Sequence, residues 1–232
     1  MKTVLITGAN RGIGLEFTKQ YAEAGYTVFA TTRTPLESAE LNALAKKLGN
    51  IKILSLDITD EKQIAGIKSM LNGQAIDILI ANAGYYGPKD ERSQFGQIDQ
   101  VEWLKTLEIN TIAPLKFAEA MIDNLLLGQE RKIAFLSSKM GSMSDNGSGG
   151  SYIYRSSKAA LNAVSKSLAI DLAEYDVKVV ALHPGWVQTD MGGPNALINT
   201  TASVTGLRKV VDKLTAKTSG GFYAYDGQSI PW

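Results

Sequence analysis

The sequence contains no cysteine, which excludes disulfides, thiolate nucleophiles and cysteine metal sites. It contains one histidine, His183, so a multi-histidine metal centre is impossible. An excess of one charge is missing too. Against 24 Lys and Arg stand 23 Asp and Glu, and the net charge of +1 suggests neither a nucleic acid nor a membrane surface as partner. The opening apolar run stops at Gly8, too short for a signal peptide or a transmembrane span, and the cytoplasm is the expected location. No G-x-S-x-G elbow occurs, which weakens a hydrolase reading. No internal repeat, linker or domain boundary is visible. At 232 residues the chain suits one α/β domain, residues 1–232, burying roughly 70–75% of its unfolded surface.

What is present is alternation. Apolar, β-rich runs recur at Val4–Thr7, Thr27–Ala30, Ile51–Leu56, Ile76–Ala81, Lys132–Leu136, Val177–Leu182 and, weakly, Gly221–Tyr225. Between them, helical periodicity spans Leu15–Ala24, Leu36–Leu48, Ile64–Leu71, Val101–Leu127 and Ile153–Tyr175. Nearly continuous apolar strands alternating with helices predict a single doubly wound, Rossmann-type domain. Its mainly parallel sheet would have about seven strands, with helices on both faces. Ligands of such sheets bind at the carboxyl ends of the strands. Three loop-like stretches, 85–98, 137–150 and 186–205, can wall that crevice. The last is the expected lid, with Gly192, Gly193 and Pro194 inside it and Gly206 following it as flexible points.

The chemistry begins at Thr7-Gly8-Ala9-Asn10-Arg11-Gly12-Ile13-Gly14, between the first strand and the first helix. Glycines allow a tight turn and close backbone approach to a diphosphate, and the first helical turn offers free N–H groups. The spacing is G-x-x-x-G-x-G rather than G-x-G-x-x-G. The second strand ends Thr31-Thr32-Arg33, with no carboxylate to accept from the adenosine ribose. Arg33 and Arg11 are instead candidate cations for a 2′-phosphate, favouring NADP(H) over NAD(H). Asp57, after the third strand, could accept from the adenine amino group or serve as a turn or capping residue. Asn82-Ala83-Gly84 closes the fourth strand with small residues, a tight turn that also permits close cofactor approach.

Tyr154 and Lys158 stand four apart on the last long helix, on one face. An ammonium beside a phenol stabilises phenolate, making the pair a plausible proton donor and acceptor for a carbonyl/alcohol couple. Nine tyrosines and eighteen lysines predict about 0.7 Y-x-x-x-K pairs by chance, so the pattern alone is weak. A second pair, Tyr85 and Lys89, is denied a helix by Gly84, Gly87 and Pro88. Ser137 and Ser138 end the fifth strand, where a hydroxyl can bind a reacting carbonyl oxygen. Asn110 is polar within an apolar helical run, and His183 reads as a structural residue bonded to backbone.

Taken together, these motifs resemble the short-chain dehydrogenase/reductase family across nearly the whole chain. The glycine motif, Asp57, Asn82-Ala83-Gly84, Asn110, Ser138, Tyr154 with Lys158, and Pro184-Gly185 with Thr189 occur in that family's order and approximate spacing. The resemblance implies that Tyr154 is the catalytic acid/base, that Lys158 lowers its pKa and binds the nicotinamide ribose, and that Ser138 holds the substrate oxygen. Asn110 would position a proton-relay water. Gly8, Asn10, Gly12, Ile13, Gly14 and Ile58 would line the cofactor site, and Pro184, Gly185, Val187 and Thr189 its nicotinamide end. Two departures stand out: Ala81 replaces a frequent second asparagine, and the longer interval from Ser138 to Tyr154 leaves Ser142 as a minor rival. The closing Tyr225–Trp232 segment and the Thr32-Arg33-Thr34-Pro35 turn look like the carbonyl-reductase-like branch that includes the C-factor proteins. The expected activity is NADP(H)-dependent hydride transfer with a small carbonyl or alcohol substrate. The expected assembly is a homodimer or homotetramer through the helices Val101–Leu127 and Ile153–Tyr175. The rival reading is a dinucleotide-binding signalling protein with little turnover.

Overall fold

A computed structural model describes residues 2–232. Among them, β1 (Thr3–Ile6), β2 (Thr27–Thr32), β3 (Ile51–Ser55), β4 (Ile78–Ala81), β5 (Lys132–Leu136), β6 (Lys178–His183) and β7 (Gly221–Ala224) form one sheet. The strand order is β3-β2-β1-β4-β5-β6-β7, and every neighbouring pair is parallel. The direction of winding reverses between β1 and β4, which makes their carboxyl ends the switch point where a crevice opens.

Alternation along the strands builds the two cores. Val4 and Ile6 of β1 face helices α1 (Gly12–Glu23), α2 (Ala39–Leu48) and α8 (Thr200–Asp212), meeting Phe17, Tyr21, Leu41, Leu207 and Val211. Leu5 points the other way. It joins Phe29, Leu79 and Phe135 beneath α3 (Glu61–Met70), α5 (Ala113–Ala120), α6 (Ile122–Leu127) and α7 (Tyr152–Asp171). A further helix, α4 (Gln100–Leu107), packs beside α7. Among the described residues no helix is long and apolar enough to cross a membrane. No metal-ligand cluster occurs there either.

The elements depart from the expected ones in three places. The single helix anticipated over Val101–Leu127 is interrupted by one π-helical turn at Glu108–Ile112 and ends a segment at Met121. Pro114 supplies a reason: it has no N–H to return to the Asn110 carbonyl, so the α-helical ladder cannot run through. The helix expected to reach Tyr175 stops at Asp171, followed by a short 3-10 turn at Ala173–Tyr175. Residues 200–205, expected as the end of the lid, are the start of α8, capped by the Asn199 side chain accepting from Ala202 N–H. Gly206 is therefore no hinge. It lies inside α8, where a Cβ would fall 2.1 Å from the Tyr225 carbonyl oxygen, so it permits the helix to touch the end of β7.

Candidate active site

The carboxyl ends of β1 to β5 open into a cleft of about 1360 Å³. Its floor is the glycine loop. Gly8 has a φ of +64°, which a side chain would strain. At Gly14 a Cβ would sit 2.1 Å from the Gly8 oxygen and 2.6 Å from Asn82 Nδ2, so no side chain is tolerated. Asn82 holds the loop from the β4 side, donating to the carbonyls of Thr7 (2.9 Å) and Gly8 (3.0 Å). The Thr7 hydroxyl accepts both the Asn82 and Ala83 N–H groups. Arg11 precedes α1 without capping it, which leaves the N–H groups of Gly12, Ile13 and Gly14 without a side-chain acceptor. Asn10 and Ile13 lie along the same wall. A cradle closed to any Cβ beneath an uncapped helix start fits a dinucleotide diphosphate.

The two arginines behave differently. Arg33 is exposed at the rim, and among the described residues no carboxylate pairs with it. Arg11 pairs with Asp190, in the loop after β6, at 2.6 Å, both side chains being mostly exposed. Asp57 lines the cleft with Ile58 and closes a local turn, its Oδ1 accepting from the Thr59 N–H (3.0 Å) and hydroxyl (2.7 Å). The capping role belongs to Asp60, which accepts from the N–H groups of Lys62 and Gln63. Ala83 and Gly84 also line the cleft.

At the far end stand Tyr154 and Lys158, both deeply buried on α7. Lys158 Nζ donates to the Leu136 carbonyl at 2.8 Å and lies 5.8 Å from the centre of the Tyr154 ring. Burial pushes the lysine down to about 8 and pushes the phenol well above its usual value. The nearby Ser138 hydroxyl pulls the other way, yet desolvation wins. The expected depression of the phenol pKa by its lysine is thus absent in the cofactor-free protein, because burial disfavours both charges. Ser142 is not a rival, since its hydroxyl donates to the Pro231 carbonyl at 2.6 Å.

Asn110 sits in the π turn, and its carboxamide grips the backbone of Tyr85. It accepts the Tyr85 N–H (2.8 Å), donates to the Tyr85 carbonyl (2.7 Å) and donates to Ser157 Oγ (2.9 Å). Tyr85 and Lys89, the alternative pair, share no helix, and the Tyr85 hydroxyl donates instead to Glu102. Thr189 lines the cleft, whereas Val187 is buried behind it in a bridge to Ile198. Pro184 and Gly185 also support the wall rather than line it, the Pro184 carbonyl accepting from Ser203 at 2.6 Å. His183 Nδ1 is buried and has no partner, so the backbone bond expected of this side chain is not made at that nitrogen. Burial lowers its pKa to about 4.

Sequence reading placed Thr7 in the glycine motif without giving its hydroxyl a role, and passed over Asp190 and Tyr86. The Tyr86 ring stacks on that of Tyr154, 4.5 Å between centroids and 27° between planes. No periodicity marks Tyr86, because it lies in irregular chain after β4.

A phosphate cradle at the switch point of a parallel sheet, with a buried phenol and lysine beside it, is the layout of a nucleotide-dependent oxidoreductase. The chain belongs to the short chain dehydrogenase family, whose profile matches residues 2–198. It is 43% identical to the C-signal of Myxococcus xanthus over 157 residues, 68% of this chain and 93% of that one. Its fold matches carbonyl reductase Sniffer of D. melanogaster with a TM-score of 0.90 and 36% identity, covering 100% of both chains. NADPH-bound carbonyl reductase from chicken fatty liver matches with a TM-score of 0.91 and 33% identity, covering 100% of this chain and 99% of that one.

Proposed function

We propose that this chain is an NADP(H)-dependent carbonyl reductase, or alcohol dehydrogenase in reverse, with Tyr154 as general acid and base. The observation that carries the reading is the buried Tyr154 and Lys158 side by side on α7, both lining the end of the dinucleotide-shaped cleft, with Ser138 close by at the end of β5. The Ser138 and Tyr154 hydroxyls would together hold one carbonyl oxygen and stabilise the negative charge that develops on it. Tyr154 gives its proton to that oxygen in reduction and takes it from the alcohol in oxidation. Burial keeps the phenol protonated, which is the state reduction needs. Lys158, as ammonium, favours the phenolate left behind. The Asn110 carbonyl, which Pro114 cannot bond in the α-helical pattern, is the acceptor that would hold a water to restore the proton.

When bound, the nicotinamide supplies or accepts the hydride. The shape and lining of the cleft support the following assignment of residues to it. Gly8 to Gly14 and the start of α1 take the diphosphate, Asp57 and Ile58 the adenine, and Asn82 to Gly84 the middle. Lys158 takes the nicotinamide ribose, and Pro184, Gly185, Val187 and Thr189 support the nicotinamide end. Arg33 is open to a 2′-phosphate. Arg11 reaches one only by releasing Asp190. The NADPH bound to the chicken relative supports the same choice here. NADPH consumption with a panel of aldehydes and ketones tests the reading: turnover is expected, and none with any member overturns it.

A further inference from the structure

We propose that the Tyr86 ring is a size filter for the substrate: it fills the space beside Tyr154 and admits carbonyl compounds with one small arm, aldehydes and methyl ketones. The inference rests on the reductase reading above and deepens it.

The ring lies 4.5 Å from the Tyr154 ring at 27°, so it covers one face of the proton donor. It is held there from several sides. Immediately before it, the Asn110 carboxamide clamps both the N–H and the carbonyl of Tyr85. Immediately after it, Gly87 has a φ of +86°, and a Cβ there would meet Ile153 Cγ2 at 3.2 Å and Thr106 Oγ1 at 3.3 Å. The chain therefore cannot swing out toward α4 or α7. The Tyr86 hydroxyl lies 3.5 Å from Ser151 Oγ, and Ser151 is itself fixed in a left-handed conformation at the start of α7. Lys89 places its ammonium 5.7 Å from the ring centre and donates to the Met191 carbonyl of the lid at 3.0 Å.

The ring thus bridges the β4 loop, the catalytic helix and the lid. A rigid aromatic wall against the proton donor leaves little room for a branched group on that side of the carbonyl carbon. Apolar walls of this kind discriminate by roughly 10–200-fold per methylene. A ring that only packed would affect every substrate alike.

The experiment compares acetophenone with isobutyrophenone, which differ in exchanging a methyl for an isopropyl arm. We measure kcat/KM with NADPH, and dissociation constants for both ketones on the NADP+ complex by calorimetry. The wild type is expected to prefer acetophenone by at least about tenfold. Tyr86→Ala should shrink that preference by about tenfold or more, while Tyr86→Phe, which keeps the ring, retains it. NADPH affinity should stay within about twofold in both variants, and Tyr86→Leu replaces the alanine variant if the latter does not fold. An unchanged preference in the alanine or leucine variant, with acetophenone still reduced, overturns the filter and leaves the reductase reading intact. Absence of turnover with these ketones and with every member of the aldehyde and ketone panel, with a binding preference that still shifts, overturns the reductase reading and keeps the filter. Failure of either ketone to bind any of the proteins overturns both.

Discussion

Tyr154 and Lys158 show how one physical cause sets two side chains. Burial disfavours charge, so the phenol holds its proton more tightly and the ammonium releases its own more readily. For the lysine, the sign of the stability effect follows. Its folded value, about 8, lies below the ordinary 10.5, so folding disfavours the charged form. That penalty is fully present below pH 8 and fades as pH rises toward 10.5. The difference corresponds to about 3 kcal/mol over the whole window. The cofactor-free protein should therefore gain stability between pH 8 and 9.5, below the range where tyrosines ionise. Urea titrations at the two pH values should show the gain in the wild type and not in Lys158→Met. A flat wild-type profile would mean that water reaches the lysine. Tyr154→Phe makes a separate test, because it keeps the ring and removes only the transferable proton. Turnover should fall about 10²–10⁴-fold while NADPH titration is unchanged. Full activity in that variant would remove Tyr154 from the acid/base role.

At the scale of elements, the segment expected to act as a lid is a folded loop rather than a loose one. Trp186 Nε1 donates to the Gly192 carbonyl (2.8 Å), and Gln188 N–H donates to the Ile198 carbonyl (2.9 Å). A Cβ at Gly192 would fall 2.0 Å from the Val187 oxygen, so this glycine serves packing within the loop. Its outward polar ties are the exposed Arg11–Asp190 pair and Lys89 on the Met191 carbonyl, whereas Val187 and Ala196 are buried. Exposed pairs of this kind are worth at most about 1 kcal/mol, so the tip around Asp190 and Met191 is the part that can move at low cost. Amide exchange across residues 187–198 should slow when NADPH and a substrate analogue are added. Equal exchange with and without them refutes a moving lid.

At the scale of the molecule, the cleft draws on both halves of the sheet, since the glycine loop follows β1 and Asn82 follows β4. A ligand bound across that junction holds the halves together, and it binds only the folded state. NADPH at a hundred times its Kd should stabilise the protein by about 2.7 kcal/mol. At equal concentration and fixed salt, NADH should stabilise less, because a guanidinium–phosphate contact adds roughly 1.5–3 kcal/mol. Thr32→Asp with Arg33→Ala should reverse the order by replacing attraction with repulsion. Thermal unfolding of both proteins with each cofactor measures this. Equal stabilisation of the wild type by the two cofactors would show that Arg33 does not read the 2′-phosphate.

The sequence by itself determined the architecture and named most of the candidates for the site. Seven apolar runs and the helices between them follow from local periodicity, which depends on neighbours a few residues apart. The glycine loop and the Tyr154–Lys158 spacing are equally local. Tertiary structure decided what depends on distant partners. Asn82 became the brace of Gly8 through contacts 74 residues away, and Arg11 was divided from Arg33 by Asp190, 179 residues along the chain. Desolvation, which raises the Tyr154 pKa against the expected effect of its lysine, exists only once the core has closed around it. Pro114 carried a local signal for the break at Glu108–Ile112 that the expected single helix Val101–Leu127 ran past, and the use of the break, a carboxamide gripping Tyr85, had no local signal at all. Nor was the ring of Tyr86 over Tyr154, since these residues are 68 apart and no local rule couples them. Spacing along a chain reports faces of helices and strands, whereas burial, ion-pair choice and ring contacts belong to the folded whole.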